Sequence, residues 1–211
     1  MLAPKPLEAK NKVQITKHLE VEDMVIIGSK NVDDKAFYVA QEIILKITSK
    51  RPEIRTELIG FVCILVAQGE SVAAYLELDE NDPNYKYGCA FLPEKNQEFP
   101  GYLASVIEWD GEPNMGVFVF VLACAINYAI CQIDLNFYSS LEKSYKASVA
   151  SKTWDCNPRS LQDVGSYWAE GVRMWYYAGE FETRDALKEY DPGLTKLLGD
   201  WISDEDIPKV Y

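Results

Sequence analysis

Histidine is what this chain of 211 residues has least of, with only His18. A single imidazole excludes every multi-histidine metal site and leaves few ways to build a Ser-His or Cys-His nucleophile. Basic residues are also short, with 21 lysines and arginines against 33 acids and a net charge of -12. Such a surface repels phosphate backbones, which argues against nucleic acid as a partner. The five cysteines (Cys63, Cys89, Cys124, Cys131 and Cys156) are an odd, sparse set without a C-x-x-C pair, so they suggest neither a disulfide framework nor a zinc knuckle. On a helix Cys124 and Cys131 would stand about 10 Å apart along the axis, beyond disulfide reach. A Cys89–Cys156 bridge stays open. The opening Met1-Leu2-Ala3-Pro4-Lys5-Pro6 lacks the basic-then-apolar pattern of a secretory leader, and a chain trimmed of its leader would read the same. The longest apolar run, Gly116 to Cys131, contains Asn127 and is shorter than the ~20 residues of a membrane span. It reads as a helix buried in a core, with no membrane as partner.

What is present is the composition of a globular chain, 48% hydrophobic and 26% charged. Residues 1–20 are polar and proline-marked and read as a surface arm, followed by one domain over 21–211. Met24-Val25-Ile26-Ile27 before Gly28 predicts a short strand. From Asp33 onward, Phe37, Ala40, Ile43, Ile44 and Ile47 recur at helical spacing, with Asn31 or Asp33 as N-cap and Pro52 beyond the end. Leu58 to Ala67 and Ser71 to Leu78 read as two strands of a hairpin turning at Gln68-Gly69-Glu70. Asp79 to Glu112, rich in Pro, Asn and Gly, reads as a long irregular stretch. After the apolar helix near 116–132, helical patterns cover Tyr138–Ala150, Leu161–Tyr177, Thr183–Tyr190 and Pro192–Ile202. Strands and a helix first, then mostly helices, predict an α+β fold.

Few residues offer chemistry. Asp79-Glu80-Asn81-Asp82-Pro83-Asn84 fails as a calcium loop, because proline stands fifth, asparagine sixth, and Ala90 where the closing glutamate belongs. It reads as a solvated turn, as does Ser203-Asp204-Glu205-Asp206. Cys124 sits in an apolar helix far in sequence from the one histidine, so it reads as a small buried hydrophobe and not as a thiolate nucleophile. His18, beside Lys17, reads as a surface residue. Glu170 and Glu180 could pair as acid and base. Glu170 lies among Tyr167, Trp168, Trp175, Tyr176 and Tyr177, where a carboxylate can mark chemistry or simply accept structural hydrogen bonds.

Three stretches together resemble a known family. Val121-Leu122-Ala123-Cys124-Ala125-Ile126-Asn127-Tyr128-Ala129-Ile130 is similar to the active-site helix of HExxH metallopeptidases, commonly V-L-x-H-E-F-A-H-A-I. Ser166-Tyr167-Trp168-Ala169-Glu170-Gly171-Val172 is similar to their E-Y-F-A-E-G-V helix. Thr183 to Leu194, with Tyr190-Asp191-Pro192, is similar to their closing helix and turn. The family is the gluzincin-type set that includes the catalytic domain of anthrax lethal factor. The likeness spans roughly residues 22–202 and is sharp only in the second half. It implies a zincin-like α+β fold with a small mixed sheet, a buried central helix and a helical C-terminal half.

Position by position, the resemblance places Cys124 at the first zinc-binding histidine, Ala125 at the general base, Tyr128 at the second histidine and Ser166 at the third ligand. Only the glutamate that supports the site from behind is kept, as Glu170. Zinc needs three or four strong donors, and alanine cannot take a proton from water. The expectation is therefore a metallopeptidase-like pseudoenzyme without metal or other cofactor. It would bind a small ligand or a protein in the former cleft through Tyr128, Tyr167, Trp168 and Glu170. Two other readings stand beside it. One is a self-associating or storage protein, betrayed by exposed aromatics between 161 and 180. The other is a hydrolase of another class using Glu170. The relatives are often secreted, so the resemblance leans to an extracellular protein.

Overall fold

The computed structural model describes residues 14–22, 24–76, 89–92, 101–106, 108–109, 112–113, 115–155, 157, 159–177 and 183–208. The first strand, β1 (Ile15–Val21), turns through Glu22, whose φ of 53° is left-handed, into the antiparallel β2 (Met24–Ser29). Residues 15–20 are thus the edge of the sheet, where the sequence suggested a polar arm. The reason is the alternation of β1: Lys17, Leu19 and Val21 turn inward while Thr16, His18 and Glu20 face water. Lys17 keeps its charge compensated there, donating to the Val32 carbonyl (2.7 Å) and pairing with Asp34 (2.6 Å).

Helix α1 (Asp34–Ile47) follows as predicted. Asp33 caps it by accepting from the Lys35 amide (2.8 Å), and Phe37, Ala40, Ile43, Ile44 and Ile47 form its buried stripe. A short α2 (Glu53–Glu57) leads into β3 (Phe61–Val66), the centre of the sheet. The predicted hairpin after β3 does not form. Ser71 starts the short helix α3 (Val72–Leu76), its hydroxyl accepting from the Ala73 amide (3.2 Å). The place beside β3 is taken by β5, which arrives from the stretch read as irregular. That stretch holds β4 (Cys89–Leu92), β5 (Gly101–Val106) and the small pair β6 (Glu108–Trp109) and β7 (Glu112–Pro113).

The five-stranded sheet has the order β1-β2-β3-β5-β4, with β2, β3 and β5 parallel and both edges antiparallel. Because β3 is covered on both faces, its sequence is a continuous apolar run with no alternation. Phe61, Cys63 and Leu65 enter the main core, while Ile64 and Val66 join Val72, Tyr75, Leu76 and Ala104 on the other face. A clip holds the strand ends together: the Glu70 carboxylate accepts from the hydroxyls of Ser29 (2.7 Å) and Tyr75 (2.6 Å) and from the Asn31 amide (2.8 Å).

The apolar run becomes α4 (Met115–Ile133), packed against the sheet, α1, α2 and α6. It is long and apolar enough to cross a membrane, yet eleven of its residues are buried in this core. Each large apolar side chain so buried contributes about 1.5–3 kcal/mol. Helices α5 (Phe137–Ser151), α6 (Val164–Tyr177), α7 (Arg184–Tyr190) and α8 (Pro192–Trp201) complete the helical half, close to the predicted ranges. The fold is mixed α+β.

Asp191 ties these helices together while only 6% exposed. One carboxylate oxygen accepts from the Trp154 indole (2.9 Å) and the Tyr167 hydroxyl (2.6 Å), and the other caps α8 at the Leu194 amide (2.9 Å). Beyond α8, the Ser203 carbonyl accepts from Trp175 (3.0 Å) and Tyr176 (2.6 Å), and Ile202 and Ile207 are buried. In the segment read as solvated, Asp204, Glu205 and Asp206 are exposed, whereas Ser203 is not.

Candidate functional site

On a helix buried almost all round, the half-buried positions stand out. Cys124, Asn127, Tyr128 and Cys131 are half-buried at i, i+3, i+4 and i+7, a single face of α4. Two of the positions singled out by sequence, Cys124 and Tyr128, are therefore one turn apart on the face of α4 that reaches solvent. Ala125 points the other way, fully buried in the core.

Each side of this stripe has a different lining. Towards the sheet, the Tyr128 ring meets Phe61 of β3 edge-on at 5.8 Å and Phe91 of β4 at 6.3 Å, and the two phenylalanines stack at 5.9 Å. Gly101 of β5 makes room for this cluster, since a Cβ there would stand 2.2 Å from the Phe61 ring. Towards the helical half lies the first turn of α6, where a Cβ on Gly165 would come within 3.7 Å of the Asn127 amide nitrogen. Asp163 caps that turn, accepting from the Ser166 amide (2.7 Å) and hydroxyl (3.0 Å). Ser166 is half-buried and committed to the cap. Within the stripe, the Cys131 thiol donates to Asn127 Oδ1 (3.6 Å). Burial, reinforced by the Asp134 charge, pushes the Cys131 thiol up, so it stays protonated at neutral pH.

Glu170 lies one turn beyond Ser166 on α6 and is 1% exposed. Its carboxylate is held by two guanidiniums: Arg173 Nε at 2.8 Å and Arg159 Nε at 3.7 Å. The Arg159 guanidinium also sits 3.9 Å above the Phe120 ring of α4. A buried carboxylate held in this way joins α6 to the segment before it, and through Arg159 to α4.

Tyr167 and Trp168, expected in the cleft, are both 0% exposed. Tyr167 faces Asp191 and also shares a hydrogen bond with Ser144 Oγ (3.0 Å); its hydroxyl is pushed above the ordinary tyrosine value, first by burial and then by the Asp191 bond. Trp168 packs edge-on against Phe137 at 5.1 Å and donates its indole N–H to the Ala123 carbonyl (3.1 Å), locking α6 onto α4. Both side chains are core, which leaves Tyr128 as the half-buried one among these aromatic candidates.

The remaining candidates scatter. His18 is exposed on β1. Glu180, the Asp79–Asn84 loop, Cys156 and the Cys89 side chain lie outside the described residues. Cys63 is buried under the sheet, its thiol pushed far up by desolvation. Among the described residues, no three His, Cys, Asp or Glu side chains stand close enough to hold a metal ion.

Sequence reasoning missed Asn127, Asp163, Arg159 and Asp191. A signal existed for Asp191, which stands before a proline at a helix start, whereas Asp163 falls inside the helical pattern read from Leu161 and caps a helix that starts at Val164. Arg173 stands three residues after Glu170 on α6, a spacing at which side chains pair, whereas Arg159 had no local signal because its approach depends on how the segment before α6 packs. The chain matches no protein-family model, no curated protein and no solved structure.

Proposed function

We propose that this chain is a zincin-like, gluzincin-type pseudoenzyme: a metal-free binding protein that uses the half-buried face of α4 beside the first turn of α6. The observation that carries this reading is the placement of Cys124, Tyr128 and Ser166. The first two are one turn apart on the face of α4 that reaches solvent, and the third is on α6, with buried Glu170 one turn beyond it. The side chains at these positions are poor in metal chemistry. One thiol, one phenol and one hydroxyl already bound to Asp163 fall short of the strong donors that zinc requires. Ala125 has no atom to activate water. Packing supports the same reading: Tyr128 fills space against Phe61 and Phe91, and apolar filling of a former charged site is neutral or stabilising.

Two competing readings lose ground. Glu170 is engaged by two guanidiniums, so it is not offered as an acid or base of another enzyme class. The exposed aromatic patch that self-association would need is missing from the described side chains of α6, since Tyr167, Trp168 and Tyr176 are buried and Trp175 is half-buried. The extracellular assignment is carried by the family resemblance.

The direct test is the metal content of protein purified without chelators, read beside a peptidase assay. Substoichiometric zinc and no cleavage are expected, and stoichiometric zinc with cleavage overturns the proposal. The scaffold is tested separately by the triple variant Cys124→His, Tyr128→His, Ser166→Glu, which restores three donors on the two helices. It should bind one zinc per chain. A folded triple variant that takes up no zinc would refute the zincin-like geometry while leaving a binding role intact.

A further inference from the structure

No further inference is drawn: the strongest candidate, the open groove of about 720 Å3 between α5 and α8, carries nothing, because its orphan buried hydroxyl, Ser148 Oγ, lies beside the Tyr167 hydroxyl of the cluster already described, its lining sets Lys143 and Lys196 against Asp134, Asp191 and Asp200, and nothing in the structure shows what covers it.

Discussion

Single residues hold this fold at points where several polar groups converge on one carboxylate. Asp191 is the clearest case, because three donors from three parts of the chain depend on it. Replacing it by alanine removes the acceptor of the Trp154 indole bond, takes one of two partners from the Tyr167 hydroxyl and uncaps α8. An unsatisfied buried donor costs about 1–3 kcal/mol and a lost cap about 1 kcal/mol. Asp191→Ala should therefore lower unfolding stability by about 2–4 kcal/mol, measured as a shift in the urea midpoint. Asp191→Asn, which keeps an acceptor for the cap, should lose less. Glu170 belongs to the same class, with arginines where Asp191 has neutral donors. Both acids were visible in the sequence as letters. Asp191 showed itself further as a residue before proline, and Arg173 as a cation three residues after Glu170 on one helix, while Arg159 comes from a separate segment and leaves no local trace.

At the scale of elements, helices were the legible part and strands the less legible one. Helix α1 declared itself through a capping aspartate, a 3.6-residue stripe and a following proline, all local features. Helix α4 declared itself by length and apolarity. Strand β1 did not, because a half-exposed edge strand carries only alternate apolar residues, and here one inward position is Lys17. Helix α3 was read as a strand because five residues are too few to separate the two periods. Only the arrival of β5 beside β3 decides the matter. That arrival also shapes the candidate site, since Gly101 at the start of β5 lets Phe61 lie flat and support Tyr128. Gly101→Ala places a methyl group inside the Phe61 ring envelope, and overpacking of this kind costs about 1–3 kcal/mol. The variant should be less stable by about 2–3 kcal/mol in denaturant unfolding, with altered tyrosine fluorescence from Tyr128. A variant with wild-type stability would mean that the aromatic cluster is loosely held.

For the molecule as a whole, three buried tyrosines in different layers couple proton binding to folding. Tyr75 on α3, Tyr167 at the Asp191 cluster and Tyr176 beside the C-terminal segment are each pushed above the ordinary value of 10.0, in every case mainly by burial. The unfolded chain releases these protons near pH 10, whereas the native chain retains them. Stability is therefore unaffected below that range and falls as pH climbs above about 10. Absorbance at the tyrosinate band should show a late step, above the ordinary tyrosine range, that coincides with loss of near-ultraviolet circular dichroism. If all tyrosines titrated together while the fold persisted, the burial described for these three would be wrong.

By itself, the sequence determined the class of fold, the extents of the long helices and the side chains at the positions compared with a metal site, because these follow from period, capping and donor chemistry within a few neighbouring residues. It also sufficed to put Cys124 and Tyr128 on one face of a helix, since four residues make about one turn. Only the tertiary structure decided that Tyr167 and Trp168 serve the core, that Glu170 meets Arg159, and that Tyr128 leans on Phe61 and Phe91. Those outcomes depend on how distant segments pack, and a local pattern records only that a residue is apolar or charged, not which partner meets it.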